Sequence, residues 1–260
     1  MSGDQPPSRS QPVHRRSAAR TAVVWDAVQE LLASGEPAGP VAVVDIGGGT
    51  GGFAVPVAAL GHRVTVVDPS PDALAILGRR AEESGVADLV TGQQGDLGTL
   101  ADLLPADSAD VVLCHGVLEL VEDPAVALEA IARVLRPGGF LSLLVSQRHA
   151  AVVARAMAGH FGQARALLEE PGPRAGDRTS EVGSGRHRFT AEELTSVLDA
   201  TGYDTVALHA VRVFVDLVPS SLVDLEPGAA ERLVELEQAV ASRPEYLPLG
   251  TQVHALARRR

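Results

Sequence analysis

The chain has 260 residues, enough for one sizeable core, either as a single domain with insertions or as two domains at most. Apolar side chains make up 45% and charged ones 21%, a balance that excludes global disorder and fibrous repeats. The formal net charge is -11 and all 22 basic residues are arginine. The first fact argues against a surface that holds nucleic acid mainly by neutralising phosphates, and the second excludes lysine-dependent chemistry such as a P-loop or a Schiff base.

Residues 1–14, rich in Ser, Pro, Gln and Gly, offer almost nothing to bury and are predicted to form a mobile arm; 15–260 are read as one domain. Ala22, Val23, Trp25, Val28, Leu31 and Leu32 then recur at helical spacing. Short apolar runs alternate with helical segments over the next hundred residues, the pattern of βαβ units around a parallel sheet. Strands are predicted at 41–46, 63–67, 89–91, 110–114 and 140–145, with helices at 53–60, 71–84 and 125–135. Their continuous apolar character suits strands covered on both faces. Beyond His149 a helix is predicted at 150–158, and a loop or lid insertion near 159–189, centred on 170–185. A capping box, Thr190 to Glu193, opens another helix; strands at 203–214 and 253–257 flank a helix at 229–241 and read as a terminal antiparallel pair. No run approaches a membrane span, Cys114 is single, and Arg15-Arg16 precede Asp26 and Glu30 rather than an apolar export segment, so a cytoplasmic protein is expected.

The most informative segment is Val43-Val44-Asp45-Ile46-Gly47-Gly48-Gly49-Thr50-Gly51, a strand running into glycines and then a helix, where the backbone can approach a ligand closely. Gly47, Gly49 and Gly52 also meet the dinucleotide spacing G-x-G-x-x-G, and Asp68 closes the second strand where a ribose ligand is needed, so a nicotinamide or flavin site is open on these residues alone. Three features favour methyl transfer: Asp45 just before the glycines, Asp96 preceded by Gln93-Gln94-Gly95, and the turn Leu135-Arg136-Pro137-Gly138-Gly139-Phe140.

With these motifs the chain resembles the class I S-adenosylmethionine-dependent methyltransferases, and more narrowly the bacterial tRNA 5-carboxymethoxyuridine methyltransferase family. The narrower likeness runs from about Arg20 to Arg258 and rests on Cys114 to Glu119, on Val211-Arg212-Val213-Phe214 with Asp216, and on Glu245 to Gly250 with His254. It implies a doubly wound, mostly parallel seven-stranded sheet with S-adenosylmethionine as cofactor and no metal. Arg20, Asp45, Gly47, Gly48, Gly49, Asp68, Gln94, Gly95, Asp96 and His115 are then the cofactor-binding candidates. Arg20 could pair with the methionine carboxylate and Asp68 with the ribose hydroxyls; a surface salt bridge for Arg20 and a solvated loop position for His115 are the alternatives.

An acceptor carboxylate, with a solution pKa of about 4, is ionised at neutral pH and needs orientation rather than a general base. Arg212, the first choice, with Arg148 and Arg188, are candidates to grip it, and His149 and Tyr246 are neighbours; a structural or solvated role is the alternative for each arginine. Members of that family carry a strongly basic stretch where this chain intersperses Glu169, Glu170, Asp177 and Glu181 with arginines. Two acceptors follow, a tRNA or a small molecule, with a non-catalytic cofactor-binding module as a third reading; the oligomeric state is not legible.

Overall fold

The computed structural model describes residues 12–34, 39–169 and 187–260. In chain order the elements are α1 (Pro12–Ala33), β1 (Ala42–Ile46), α2 (Ala54–Ala59), β2 (Arg63–Asp68), α3 (Pro71–Glu83), β3 (Val90–Gln94), α4 (Leu100–Leu103), β4 (Ala109–His115), α5 (Pro124–Val134), β5 (Leu135–Ser146), α6 (Arg148–Met157), α7 (Phe161–Glu169), α8 (Ala191–Ala200), β6 (Tyr203–Val211), α9 (Ser220–Leu225), α10 (Ala229–Ala241), a 3-10 segment (Pro244–Leu249) and β7 (Gln252–Arg259). The seven strands form one sheet in the order β3-β2-β1-β4-β5-β7-β6. β1 to β5 pair in parallel, and β7 runs antiparallel between β5 and β6.

Neighbouring residues along each inner strand feed opposite layers, which is why these strands read as unbroken apolar runs. Val44, Val112, Cys114, Leu141 and Leu143 pack with Leu128 and Ile131 of α5 and Leu194 and Leu198 of α8. Val43, Val66, Val111 and Leu113 pack on the other face with Val24 and Val28 of α1, Val57 of α2 and Leu77 of α3. Strand order reverses between β1 and β4, so the crevice of a doubly wound sheet opens beyond the carboxyl ends of these two strands.

Several sequence expectations shift. α1 begins at Pro12, inside the stretch read as an arm over 1–14; residues 1–11 lie outside the described residues, as does 170–186, the centre of the expected loop. The front of that insertion is helical, because α7 occupies Phe161–Glu169 and buries Ala164. β3 extends to Gln94 by pairing with the long β2, with Asp68 opposite Gln94. β5 starts at Leu135, not Phe140, since Leu135 pairs with Ala109 before a register shift lets the glycines through. A Cβ at Gly139 would lie 2.8 Å from the Asp110 carbonyl oxygen, so that turn requires glycine. The capping box at Thr190 is formed in both directions, with Glu193 N–H donating to Thr190 Oγ1 and Thr190 N–H to Glu193 Oε2, worth about 1 kcal/mol to α8. Among the described residues no helix is long and apolar enough to cross a membrane.

Candidate active site

The glycine turn is built at the end of β1. Gly47 and Gly49 have φ of +68° and +54°, left-handed values that glycine adopts without penalty. Gly47 N–H donates to Val67 O at 2.8 Å, which ties the turn to β2. Asp68, at the end of β2 and 8% exposed, accepts from Gly49 N–H and from Ser70 N–H, both at 2.9 Å. Each bond uses one lone pair of a different oxygen, so the carboxylate that shapes the turn retains acceptor capacity toward the crevice.

Asp45 lies beneath the turn, 3% exposed, and its Oδ2 has no hydrogen-bond partner. A Cβ at Gly48 would overlap this carboxylate. Burial first, and then the charge of Asp68, push the Asp45 carboxyl up to about 7. An unpartnered buried carboxylate beside a turn with no side chains fits the cationic amino acid end of a sulfonium cofactor, which would supply the missing partner.

The other cofactor candidates flank this turn. Gln94 is level with Asp68 and donates from Nε2 to Pro69 O at 3.2 Å, while Gly95 N–H donates to Asp68 O at 3.2 Å. Asp96 is exposed, and its Oδ1 accepts from Thr99 N–H at 3.1 Å, so one oxygen is engaged in starting α4. His115 ends β4, one residue past the Ile46–Cys114 pair, so it is level with Gly47. Its ring packs edge-on against Phe53 at 4.7 Å, and burial pushes the imidazole down to about 4.

Arg20, the remaining cofactor candidate, takes part in an ion pair. Its guanidinium lies 3.3 Å from Asp216, whose other oxygen is 2.6 Å from Arg212 and accepts from Thr251 Oγ1 at 3.2 Å. One carboxylate therefore joins the arginine expected for the cofactor to the arginine expected for the acceptor. Partial burial raises the Asp216 carboxyl, but the hydrogen bond and charge of Arg212, then Thr251 and Arg20, outweigh it and hold the group below its ordinary value. Arg212 has φ of +61°, a left-handed conformation that ends β6 three residues before the expected boundary. Glu237 of α10 compensates: fully buried, it accepts from the N–H groups of Val213, Phe214 and Val215 at 2.8–2.9 Å. Tyr246 stands beside this turn, with its ring centroid 6.2 Å from that of Phe214.

Arg148 and Arg188 occupy other surroundings. Arg148 is 8% exposed and spends its guanidinium on Glu193 at 2.7 Å and on Arg188 O at 3.0 Å, locking α6 to the start of α8. Its donors hold structure instead of projecting as a free clamp. Arg188 lines an open cavity of about 540 Å³ with Arg155, Gln163, Ala166, Leu167 and Glu169, between α6 and α7 and without a residue of the glycine turn. His149 is exposed, and its N–H donates to Gln147 Oε1 at 2.5 Å.

Sequence reasoning assigned no role to four polar residues that shape this edge. Gln147, 1% exposed, donates from Nε2 to Leu247 O and so steadies the segment bearing Tyr246. Glu119, 3% exposed, accepts from Ser146 N–H and Oγ at 2.8 Å. Asp216 and Glu237 are described above. Glu237 carried a usable signal, since it falls on the buried stripe Ala230, Leu233, Glu237, Val240, where a lone carboxylate demands partners. Among the described residues no group of three or more His, Cys, Asp or Glu could hold a metal ion.

The model for a methyltransferase domain matches residues 44–143, from the middle of β1 to β5. The tRNA 5-carboxymethoxyuridine methyltransferase of Escherichia coli (strain K12) is 30% identical over 240 residues, 92% of this chain and 88% of that protein. The chain belongs to the S-adenosylmethionine-dependent methyltransferases. The nicotinamide, flavin and non-catalytic alternatives fall away with that assignment. The methyltransferase is also 37% identical over 133 residues to a ubiquinone biosynthesis O-methyltransferase of Xanthomonas axonopodis pv. citri, 51% of this chain and 54% of that one. Its fold matches the solved S-adenosylmethionine dependent methyltransferase from Mesorhizobium loti with a TM-score of 0.57 and 23% identity, covering 90% of this chain and all of the other.

Proposed function

We propose that this methyltransferase esterifies a carboxylate, that of 5-carboxymethoxyuridine at the wobble position of tRNA. The observation that carries the reading is the cluster in which Asp216 bridges Arg20 and Arg212, lying in the segment that most narrows the resemblance and within a 30% identity that extends over 92% of the chain. Asp45, Gly47, Gly48, Gly49, Asp68, Gln94, Gly95 and His115 would hold S-adenosylmethionine, which supplies a methyl group on a cationic sulfur. Asp96 stands at the rim. Arg212 would take the acceptor carboxylate in its planar fork, exchanging part of its bond to Asp216 for the incoming anion. Because that carboxylate is ionised already, the site's work is to orient it and exclude water; the anion and cation lose charge as they combine, which a dry preorganised pocket favours. No residue need remove a proton. A tRNA acceptor puts the enzyme in the cytoplasm.

A second reading has support of its own. The net charge of -11 and the 37% identity to a ubiquinone biosynthesis O-methyltransferase favour a small-molecule acceptor. Mass spectrometry of tRNA nucleosides from cells with and without the gene separates the two, read together with methylation of tRNA bearing the free acid by purified enzyme. The tRNA reading expects the methyl ester to vanish in the deletion and to be restored by the enzyme in vitro. An unchanged nucleoside profile refutes it.

A further inference from the structure

Four polar side chains span four neighbouring strands, and the chemistry above uses only the first. His115 Nε2 on β4 lies 2.9 Å from Ser142 Oγ on β5, and Ser142 Oγ lies 2.8 Å from His254 Nε2 on β7. His254 Nδ1 lies 3.0 Å from His209 Nδ1 on β6, with the two rings near-parallel, 16° apart, and their centroids separated by 5.2 Å. Ser142 and His254 are fully buried. The register explains the alignment: Leu144 is opposite both His115 and His254, and His254 is opposite His209. Ser142, two residues from Leu144, shares its face.

Burial lowers all three imidazoles, so they are neutral at physiological pH. A neutral imidazole has one N–H and one bare nitrogen, so a ring that donates at one end accepts at the other. With one hydroxyl proton at Ser142, the chain runs in one of two directions. Protons point either from His115 outward to His209, leaving His115 Nδ1 bare, or inward, leaving it protonated. In the outward direction His209 Nδ1 accepts from His254 and the His209 proton sits on Nε2. At the other end His115 Nδ1 is buried with no hydrogen-bond partner, level with Gly47 of the glycine turn. A bare acceptor so placed is costly until a donor reaches it.

We propose that Ser142, His254 and His209 are positioning residues that hold His115 in its Nε2-protonated form, so that Nδ1 accepts a hydrogen bond from a donor group of bound S-adenosylmethionine. This rests on the placement of the cofactor at the glycine turn. The distinguishing property is reach: His209 stands three strands away from His115, with the His254 ring between them at 6.2 Å from one and 5.2 Å from the other, yet it sets the His115 tautomer.

The test uses the full-length protein labelled with ¹⁵N, long-range proton–nitrogen spectra of the imidazoles, and calorimetric titration with S-adenosylmethionine. Wild type is expected to show His115 as one neutral tautomer with its proton on Nε2. His209→Phe removes the terminal acceptor; the chain then reverses, the His115 proton moves to Nδ1, and the cofactor Kd rises about tenfold. His209→Asn, whose side-chain oxygen can accept in place of Nδ1, restores both readings. Melting curves check that each variant is folded, and should His209→Phe not fold, Ser142→Ala, which cuts the chain beside His115, leaves that ring in a mixture of both tautomers and weakens the cofactor likewise. A proton on Nδ1 in wild type, or a tautomer unmoved by His209→Phe, overturns the proposal. So does a tautomer that moves while the affinity stays constant. Wild type that fails to bind S-adenosylmethionine would instead refute the cofactor placement, with the tautomer result still readable without ligand.

Discussion

Asp45 concentrates the electrostatics of the cofactor end in one side chain. In water a carboxyl of this kind ionises near 3.8, whereas burial and then the neighbouring Asp68 charge bring this one up to about 7. Between those values the unfolded chain gives up its proton and the folded chain keeps it. Stability therefore falls as pH rises from about 4 to about 7, by up to about 1.4 kcal/mol per pH unit, and is level above that window. A cation seated on the glycine turn inverts the preference, because the ionised carboxylate then gains a partner and its pKa drops. Cofactor binding at pH 6 is accordingly expected to release close to one proton, measured by calorimetry in buffers of different ionisation heat. Asp45→Asn should release none, weaken S-adenosylmethionine at least tenfold, and raise the melting temperature of the ligand-free protein at pH 8. Binding by wild type without proton release would show that Asp45 does not face the cofactor's charge.

At the scale of elements, the turn leaving β6 is held by a helix it meets only in space. Arg212 takes a left-handed conformation, and the next three N–H groups converge on Glu237 of α10. Charge-assisted bonds of this kind offset the strain at Arg212 and fix the direction of its side chain. Glu237→Gln places an NH₂ against those donors. It should cost about 2 kcal/mol in denaturant unfolding and lower kcat more than it weakens the cofactor, since the glycine turn lies on other strands. Equal losses in kcat and cofactor affinity would mean the turn serves general stability alone.

This turn also marks where sequence reading stopped. The glycine turn and the capping box are local, each decided by residues a few positions apart, and both are legible, whereas Asp68 reaches Gly49 from 19 residues away and is placed by the strand that ends on it. The strands bearing Ser142, His209 and His254 were legible too, through their apolar runs. Their meeting depends on β7 entering between β5 and β6, a pairing no local pattern encodes. Arg148 is the converse case: its charge and its place after β5 suggested a clamp, but Glu193, 45 residues later, folds back and takes the guanidinium. α7 gives no helical signal in the sequence because it exposes Phe161 and Leu168 and buries little more than Ala164, leaving a weak apolar stripe.

For the whole molecule the question is how a chain with a net charge of -11 could act on RNA. Electrostatic repulsion from the molecule as a whole opposes such binding, so affinity must come from few local contacts and from the fit of the modified base. Arginines are distributed in that way: Arg20 and Arg212 share one acid at the candidate acceptor site, and Arg155 and Arg188 line one cavity between α6 and α7. Three or four phosphate contacts from such groups, at roughly 0.7–0.9 counterions each, give a log–log slope of apparent tRNA affinity against salt of about -2 to -4. The KM for tRNA measured from 50 to 300 mM salt should follow that slope, with the KM for S-adenosylmethionine nearly constant because its contacts are buried. A slope far steeper than this would require a basic face larger than these arginines form. A KM for tRNA indifferent to salt would remove phosphate recognition altogether and favour the small-molecule acceptor.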